Sequence, residues 1–195
     1  MAKTTKTAKT ASSTSNSKSD NAFTPTSTLR ANARKNAEQG AVTQSYDADR
    51  KVVLEKLNEA LATEWVCVLR YYRHYFMAEG MLSDAVKAEF LEHAQQEQAH
   101  ANKIAERIVQ LGGEPDLDPD TLTKRAHAEY KPGKDLRNMV KENLVAERIA
   151  IDSYRELINY IGDKDTTTKR MLMDIMAQEE EHADDMADML NGLIG

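Results

Sequence analysis

Cysteine occurs once in this chain of 195 residues, at Cys67. That excludes an internal disulfide and any four-cysteine iron or zinc module. Only four prolines and eight glycines interrupt the chain. With Ala, Leu, Glu, Lys and Met plentiful, helix is favoured over sheet. No apolar run approaches the ~18 residues that a membrane span needs. The N-terminal stretch has lysines but no apolar core, so it does not read as a secretory signal. The cytoplasm is the expected compartment, and no membrane partner is expected.

Charge is unevenly spread. Residues 1–35 hold Lys3, Lys6, Lys9, Lys18, Arg30, Arg34 and Lys35 against Asp20 alone, a surplus of six positive charges. With a whole-chain net charge of −6, the remainder carries −12. A basic tail thus precedes an acidic body, and the two suit different partners. Residues 1–26 are Ala, Lys, Thr and Ser with almost no large apolar side chain. They bury too little surface to offset their ordering entropy, so disorder is expected. Residues 27–46 read as a short helix or linker, and 47–195 as one helical domain.

That domain contains four long helical patterns. They run from about Asp47 to Glu79, Ser83 to Gly112, Lys134 to Ile161 and Asp165 to Gly192. Ser83 and Asp165 or Thr166 are the expected caps, and glycines the expected stops. Links of about three residues join the first helix to the second and the third to the fourth, which makes each pair antiparallel. About 20 residues with Pro115, Pro119 and Pro132 separate the two pairs, long enough to cross a bundle. A short helix is expected there around Leu122–Glu129. The fold class is therefore all-α, a four-helix bundle with a long crossover between helices two and three.

Each long helix has an apolar stripe at 3-4 spacing, and each stripe carries a glutamate near its middle. The stripes include Leu61, Glu64, Val68 and Tyr71; then His93, Glu97, His100 and Ile104; then Leu144, Glu147, Ile151 and Tyr154; then Ile175, Glu179, His182 and Met186. In the second and fourth helices a histidine follows the glutamate at i+3, on the same face. The halves repeat. Leu61–Glu64 with Tyr71 matches Leu144–Glu147 with Tyr154, and Glu97–His100 matches Glu179–His182. Two similar helix pairs can bring four glutamates and two histidines to one level of the core.

A buried carboxylate costs several kcal/mol unless compensated. The stripes offer no Lys or Arg beside these glutamates. Two divalent cations would balance four carboxylates, and oxygen ligands with one imidazole per ion suit iron or manganese. Glu64, Glu97, His100, Glu147, Glu179 and His182 are the candidate ligands. A single Glu-x-x-His is common on exposed helices. Two of them, in phase with two further glutamates and internally repeated, are hard to reach by chance.

At these residues the sequence resembles the ferritin-like superfamily, and within it bacterioferritins and the Dps-like ferritins that share their site. The ligand pattern is the one described for ferritin-like di-iron carboxylate proteins generally. The resemblance implies that Glu64 and Glu147 are terminal ligands, that Glu97 and Glu179 bridge, and that His100 and His182 each hold one of two irons per subunit. It implies that Tyr71 lies near the site, to supply an electron or proton. It further implies a ferroxidase that oxidises Fe2+ with O2 or H2O2, stores Fe3+ in a homo-oligomeric shell and limits oxidative damage. The acidic body would draw cations to that shell.

The sequence departs from the bacterioferritin pattern. The position after Glu97 is Gln98, and Met77 and Met81 lie near the end of the first hairpin, which puts a haem site in doubt. The chain ends 13 residues after His182, short of a fifth helix, which favours twelve subunits over 24. Cys67 reads as a buried structural thiol. His74, His93 and His127 lie outside the repeat; His93, one turn before Glu97, reads as a core or surface histidine, with an outer role at the site as the alternative. The spaced lysines of the tail can neutralise DNA phosphates without reading sequence, and copies on one shell would add avidity. A DNA-binding, nucleoid-associated shell protein is therefore the rival reading. A manganese catalase is a third, for which the chain is short.

Overall fold

The computed structural model describes residues 23–80 and 83–193. Most of the basic tail lies outside the described residues. Helix α1, Thr26–Asn32, and a 3-10 turn at Ala37–Gln39 come first and bury nothing. The bundle is built from α2, Arg50–Met77; α3, Ser83–Gln110; α5, Leu136–Ile161; and α6, Thr166–Gly192. Helix α4, Pro119–Arg125, lies in the crossover. There is no strand among the described residues. No described helix is long and apolar enough to cross a membrane.

Local chemistry sets the boundaries. The Asp49 carboxylate caps α2 by accepting from Lys51 N and Val52 N, and Asp135 caps α5 through Asn138 N. Asp165 does the same for α6 through Thr168 N at 2.9 Å. These side chains satisfy backbone donors that have no partner within the helix. Ser83, the expected cap of α3, is instead its first helical residue. The crossover helix starts earlier than the sequence pattern predicts, because Asp118 caps it and Pro119 supplies a ready-made first turn. At the end of α3, Gly112 takes a φ of 74°, and Gly113 N reaches back to Ile108 O at 2.9 Å. That left-handed turn closes the helix and starts the crossover.

Helix α2 packs on α3 and α5 on α6, as the short links require, and α2–α5 and α3–α6 contacts close the bundle. The crossover tracks the full length of α2. Asn58 binds Glu114 O and Asp116 N near one end, Thr63 meets His127 N in the middle, and His74 meets Lys131 O near the other. This returns the chain to the opposite end, so α5 runs antiparallel to α2 and α6 antiparallel to α3.

Two apolar layers fill the interior. One contains Leu57, Leu61, Ile104, Ile108, Ile158, Leu172 and Ile175. The other contains Tyr71, Phe90, Val140 and Met186. The polar residues of the stripes fall between these layers. Cys67 is buried and free, as expected.

Candidate metal centre

The four bundle helices bring all six candidate ligands together. Glu64 stands on α2, Glu97 and His100 on α3, Glu147 on α5, and Glu179 and His182 on α6. None is more than 2% exposed. Their ligand atoms form two overlapping groups, Glu64–Glu97–His100–Glu179 and Glu97–Glu147–Glu179–His182. Glu97 and Glu179 belong to both. Glu97 directs Oε2 to 3.5 Å from His100 Nδ1 and Oε1 to 3.6 Å from His182 Nδ1. Glu179 directs Oε1 to 2.9 Å from His100 Nδ1 and Oε2 to 3.6 Å from His182 Nδ1. One oxygen of each carboxylate thus faces each half of the site, the geometry of a bridge. Glu64 serves the His100 half alone and Glu147 the His182 half alone.

The residues pass a direct test of fit to cations. Eight buried side-chain atoms have no hydrogen-bond partner among the described residues. Six of them are Glu64 Oε2, Glu97 Oε1, His100 Nδ1, Glu147 Oε2, Glu179 Oε1 and His182 Nδ1. Buried polar atoms are normally satisfied, and each exception calls for a cause. Here the unsatisfied atoms converge from four helices on two shared points. Even the close His100 Nδ1–Glu179 Oε1 approach is not aligned as a hydrogen bond. Such an arrangement suits ions between the groups better than bonds from one group to another.

The opposite face of each ligand is held by the protein. His100 Nε2 lies 3.0 Å from Gln178 Oε1, and His182 Nε2 bonds Gln96 Oε1. An amide oxygen only accepts, so each Nε2 carries a proton, and a ring that gives up its second proton presents the Nδ1 lone pair inward. Tyr71 donates its hydroxyl proton to Glu147 Oε1, and Tyr154 donates to Glu64 Oε1. Each pair crosses between helices, and the two halves of the chain mirror one another. His93, also buried, touches the Tyr71 hydroxyl through Nδ1 at 3.1 Å and stacks on His182. It is a core histidine, as expected, and its ring borders the candidate ligands.

Charge in the metal-free site is carried by protons. Burial and the charges of Glu97 and Glu179 push the Glu64 and Glu147 carboxyls well above their usual range. Burial opposes a charge on His100, but the carboxylates of Glu179, Glu64 and Glu97 outweigh it and hold its pKa far above that of an ordinary histidine. Burial likewise opposes a charge on His182, and Glu179 and Glu97 carry its pKa up to about 11. At neutral pH both imidazoles are protonated, and cations must displace those protons. Loading is therefore expected to release between about two and four protons per subunit, and apparent affinity to rise with pH across the neutral range. Anaerobic metal titration in weakly buffered solution, with a pH indicator, reads both; proton-neutral loading would contradict this account.

Three site-related features were not singled out from the sequence. Gln96 and Gln178 each stand immediately before the Glu of a Glu-x-x-His, a repeated signal that was present in the sequence. Tyr154 was legible as the counterpart of Tyr71. Gln178→Ala is expected to leave the fold intact, since Gln178 is only half-buried. Loss of an outer partner of this kind lowers metal affinity about 10–100-fold, measurable by Co2+ titration. The third feature is Arg70, a cation in the core. It is completely buried, but off the stripe and bound to neutral acceptors rather than to the glutamates.

Similarity to known proteins converges on one family. The Ferritin-like domain family matches residues 54–194. A DNA protection during starvation protein of Pyrococcus furiosus is 31% identical over 148 residues, 74% of this chain and 80% of that protein. A bacterioferritin of Rhodobacter capsulatus is 31% identical over 136 residues, 68% of this chain and 78% of that one. Among solved structures, the dodecameric thioferritin of Bacteroides fragilis, a bacterioferritin-related protein, superposes with a TM-score of 0.73. It is 36% identical and covers 75% of this chain and 89% of its own. With the bundle, the crossover and the domain match in agreement, the chain belongs to the ferritin-like family, among relatives of the bacterioferritin and Dps kinds.

Proposed function

We propose that the protein is a ferroxidase that takes Fe2+ as substrate at Glu64, Glu97, His100, Glu147, Glu179 and His182, and stores the Fe3+ product in a homo-oligomeric shell. The observation that carries this reading is the convergence of six buried, unpartnered ligand atoms at two overlapping positions. Two Fe2+ supply two electrons, enough with two protons to take O2 to H2O2, or H2O2 to two waters. Glu97 and Glu179 hold the substrate ions as a pair, so both electrons leave from one place. Glu64 and Glu147 fix the outer side of each ion. Gln96 and Gln178 keep the imidazoles in the tautomer that offers Nδ1. The apolar layers on either side limit water access. Tyr71 sits where it can deliver a proton toward Glu147, or an electron.

A shell of twelve subunits is favoured, supported by the dodecameric relative. The deciding experiment is anaerobic Fe2+ titration of the metal-free protein, followed by separate additions of O2 and H2O2. About two irons per subunit and rapid Fe3+ formation with one oxidant would support the reading and name the oxidant. Binding no tighter than to an unrelated acidic protein would defeat it.

A second reading, non-specific DNA binding by the tail, is supported by the lysines at positions 3, 6, 9 and 18. The name of the Pyrococcus furiosus relative points the same way. Deleting residues 2–20 is expected to abolish retardation of DNA in gels at low salt and to leave iron oxidation unchanged. Equal retardation by the truncated protein would rule out the tail as the DNA contact.

A further inference from the structure

Outside the six residues, one further group of ligand atoms converges among the described residues. Glu89 and His93 lie one turn apart on α3, and Asp185 reaches them from α6. His93 is 1% exposed. Its Nε2 stands 3.5 Å from Asp185 Oδ2 and 3.6 Å from Glu89 Oε1. Both distances lie beyond the hydrogen-bond range of about 2.7–3.2 Å. The Glu89 and Asp185 side chains are 29% and 51% exposed, so the group opens to solvent on one side. Neither carboxylate has a Lys or Arg partner among the described residues.

The hydrogen-bond chain behind His93 sets its polarity. Tyr71 has one hydroxyl proton and gives it to Glu147. In the 3.1 Å contact with the Tyr71 oxygen, His93 Nδ1 must then be the donor. A neutral ring that donates from Nδ1 carries a lone pair on Nε2. Three acceptors, one imidazole nitrogen and two carboxylate oxygens, therefore face one another with no donor between them. A metal with bonds of about 2.0–2.2 Å holds neighbouring ligand atoms about 3.0–3.5 Å apart, close to the spacing present.

We propose that Glu89, His93 and Asp185 form a third divalent-cation site, separate from the paired centre and open to solvent, for an ion of the Fe2+, Co2+, Mn2+ or Zn2+ class. One nitrogen and two oxygen ligands, with the remaining positions left to water, suit that class. The His93 ring stacks on His182 at 4.0 Å between centroids. The site thus adjoins the paired centre on its solvent side, where an ion can wait before moving inward. The proposal rests on the paired-centre reading only for the direction of the Tyr71 hydrogen bond.

The test is anomalous diffraction from Co2+-soaked crystals of the full chain, with anaerobic Co2+ binding stoichiometry as the measurement in solution. A peak bonded to His93 Nε2, Glu89 and Asp185 is expected, with about three Co2+ per subunit. In Asp185→Ala, an exposed position that leaves the bundle packing alone, that peak should vanish and the stoichiometry fall to about two. Absence of the third peak overturns the site, whether or not the paired centre fills. Persistence of the peak and of the third Co2+ in Asp185→Ala also overturns it. Failure of the paired centre to fill would instead count against the ferroxidase.

Discussion

In Glu97→Ala, iron oxidation is expected to fall more than about 100-fold. Loss of an outer partner of a metal ligand costs about 10–100-fold. Glu97 is closer in than that, because its two oxygens face both halves of the centre. On the proposed reading, its removal takes a ligand from each ion at once. The same variant also makes a prediction for the metal-free fold. Burial raises the cost of a charge on Glu97, and contacts with His100, His182 and Glu64 hold its pKa well below the usual carboxylate range. It is a buried charge kept for the centre. Removing one partner of a buried charged cluster leaves the others uncompensated and costs about 3–5 kcal/mol. Urea unfolding of the metal-free variant should therefore show a loss of that order, while stopped-flow oxidation shows near-total loss. A large destabilisation with oxidation preserved would reverse the assignment, making Glu97 a structural residue.

Arg70→Met is expected to destabilise the protein by about 3 kcal/mol while leaving the ligands in place. Arg70 is wholly buried. Its Nε donates to Asn143 Oδ1 at 2.8 Å and its Nη1 to Glu129 O at 3.2 Å. It therefore ties α2 to α5 and to the crossover in one side chain. Methionine fills much of the space but offers no donor, so the buried Asn143 Oδ1 and the part-buried Glu129 O lose their partner. An orphaned buried group costs about 1–3 kcal/mol, and bonds from a charged donor are worth the upper part of the range. The loss should appear as a lower urea midpoint with an unchanged slope. A midpoint equal to that of the unaltered protein would mean that the crossover is held by its other contacts, such as those of His74 and Thr63.

The stripes explain why so much of the centre was readable. A helix repeats every 3.6 residues, so a glutamate at a stripe position must enter the core if the helix forms at all. Once Glu64, Glu97, Glu147 and Glu179 were in phase with Leu and Ile, burial followed. His100 and His182, three residues on, shared that face. The internal repeat then put the two halves at one level. The unread residues are those whose role depends on a neighbour in another helix. Gln96 and Gln178 sit about 100° from the stripe, and nothing in their own helix says which histidine they reach. Arg70 looks like a surface residue in the sequence. It is buried only because the crossover lies over that side of α2, which helical periodicity does not encode.

The sequence by itself determined the all-α class, the two hairpins, the long crossover and the identity of the six candidate ligands. Each follows from local rules: caps, glycine stops, link lengths and the helical repeat. Tertiary structure decided which side chains meet. Antiparallel pairing of α2 with α5 crosses Tyr71 to Glu147 and Tyr154 to Glu64. Antiparallel pairing of α3 with α6 crosses Gln178 to His100 and Gln96 to His182, and brings Asp185 to His93. Periodicity fixes the face a residue presents along one axis. Only the packing of two axes against each other fixes what that face touches.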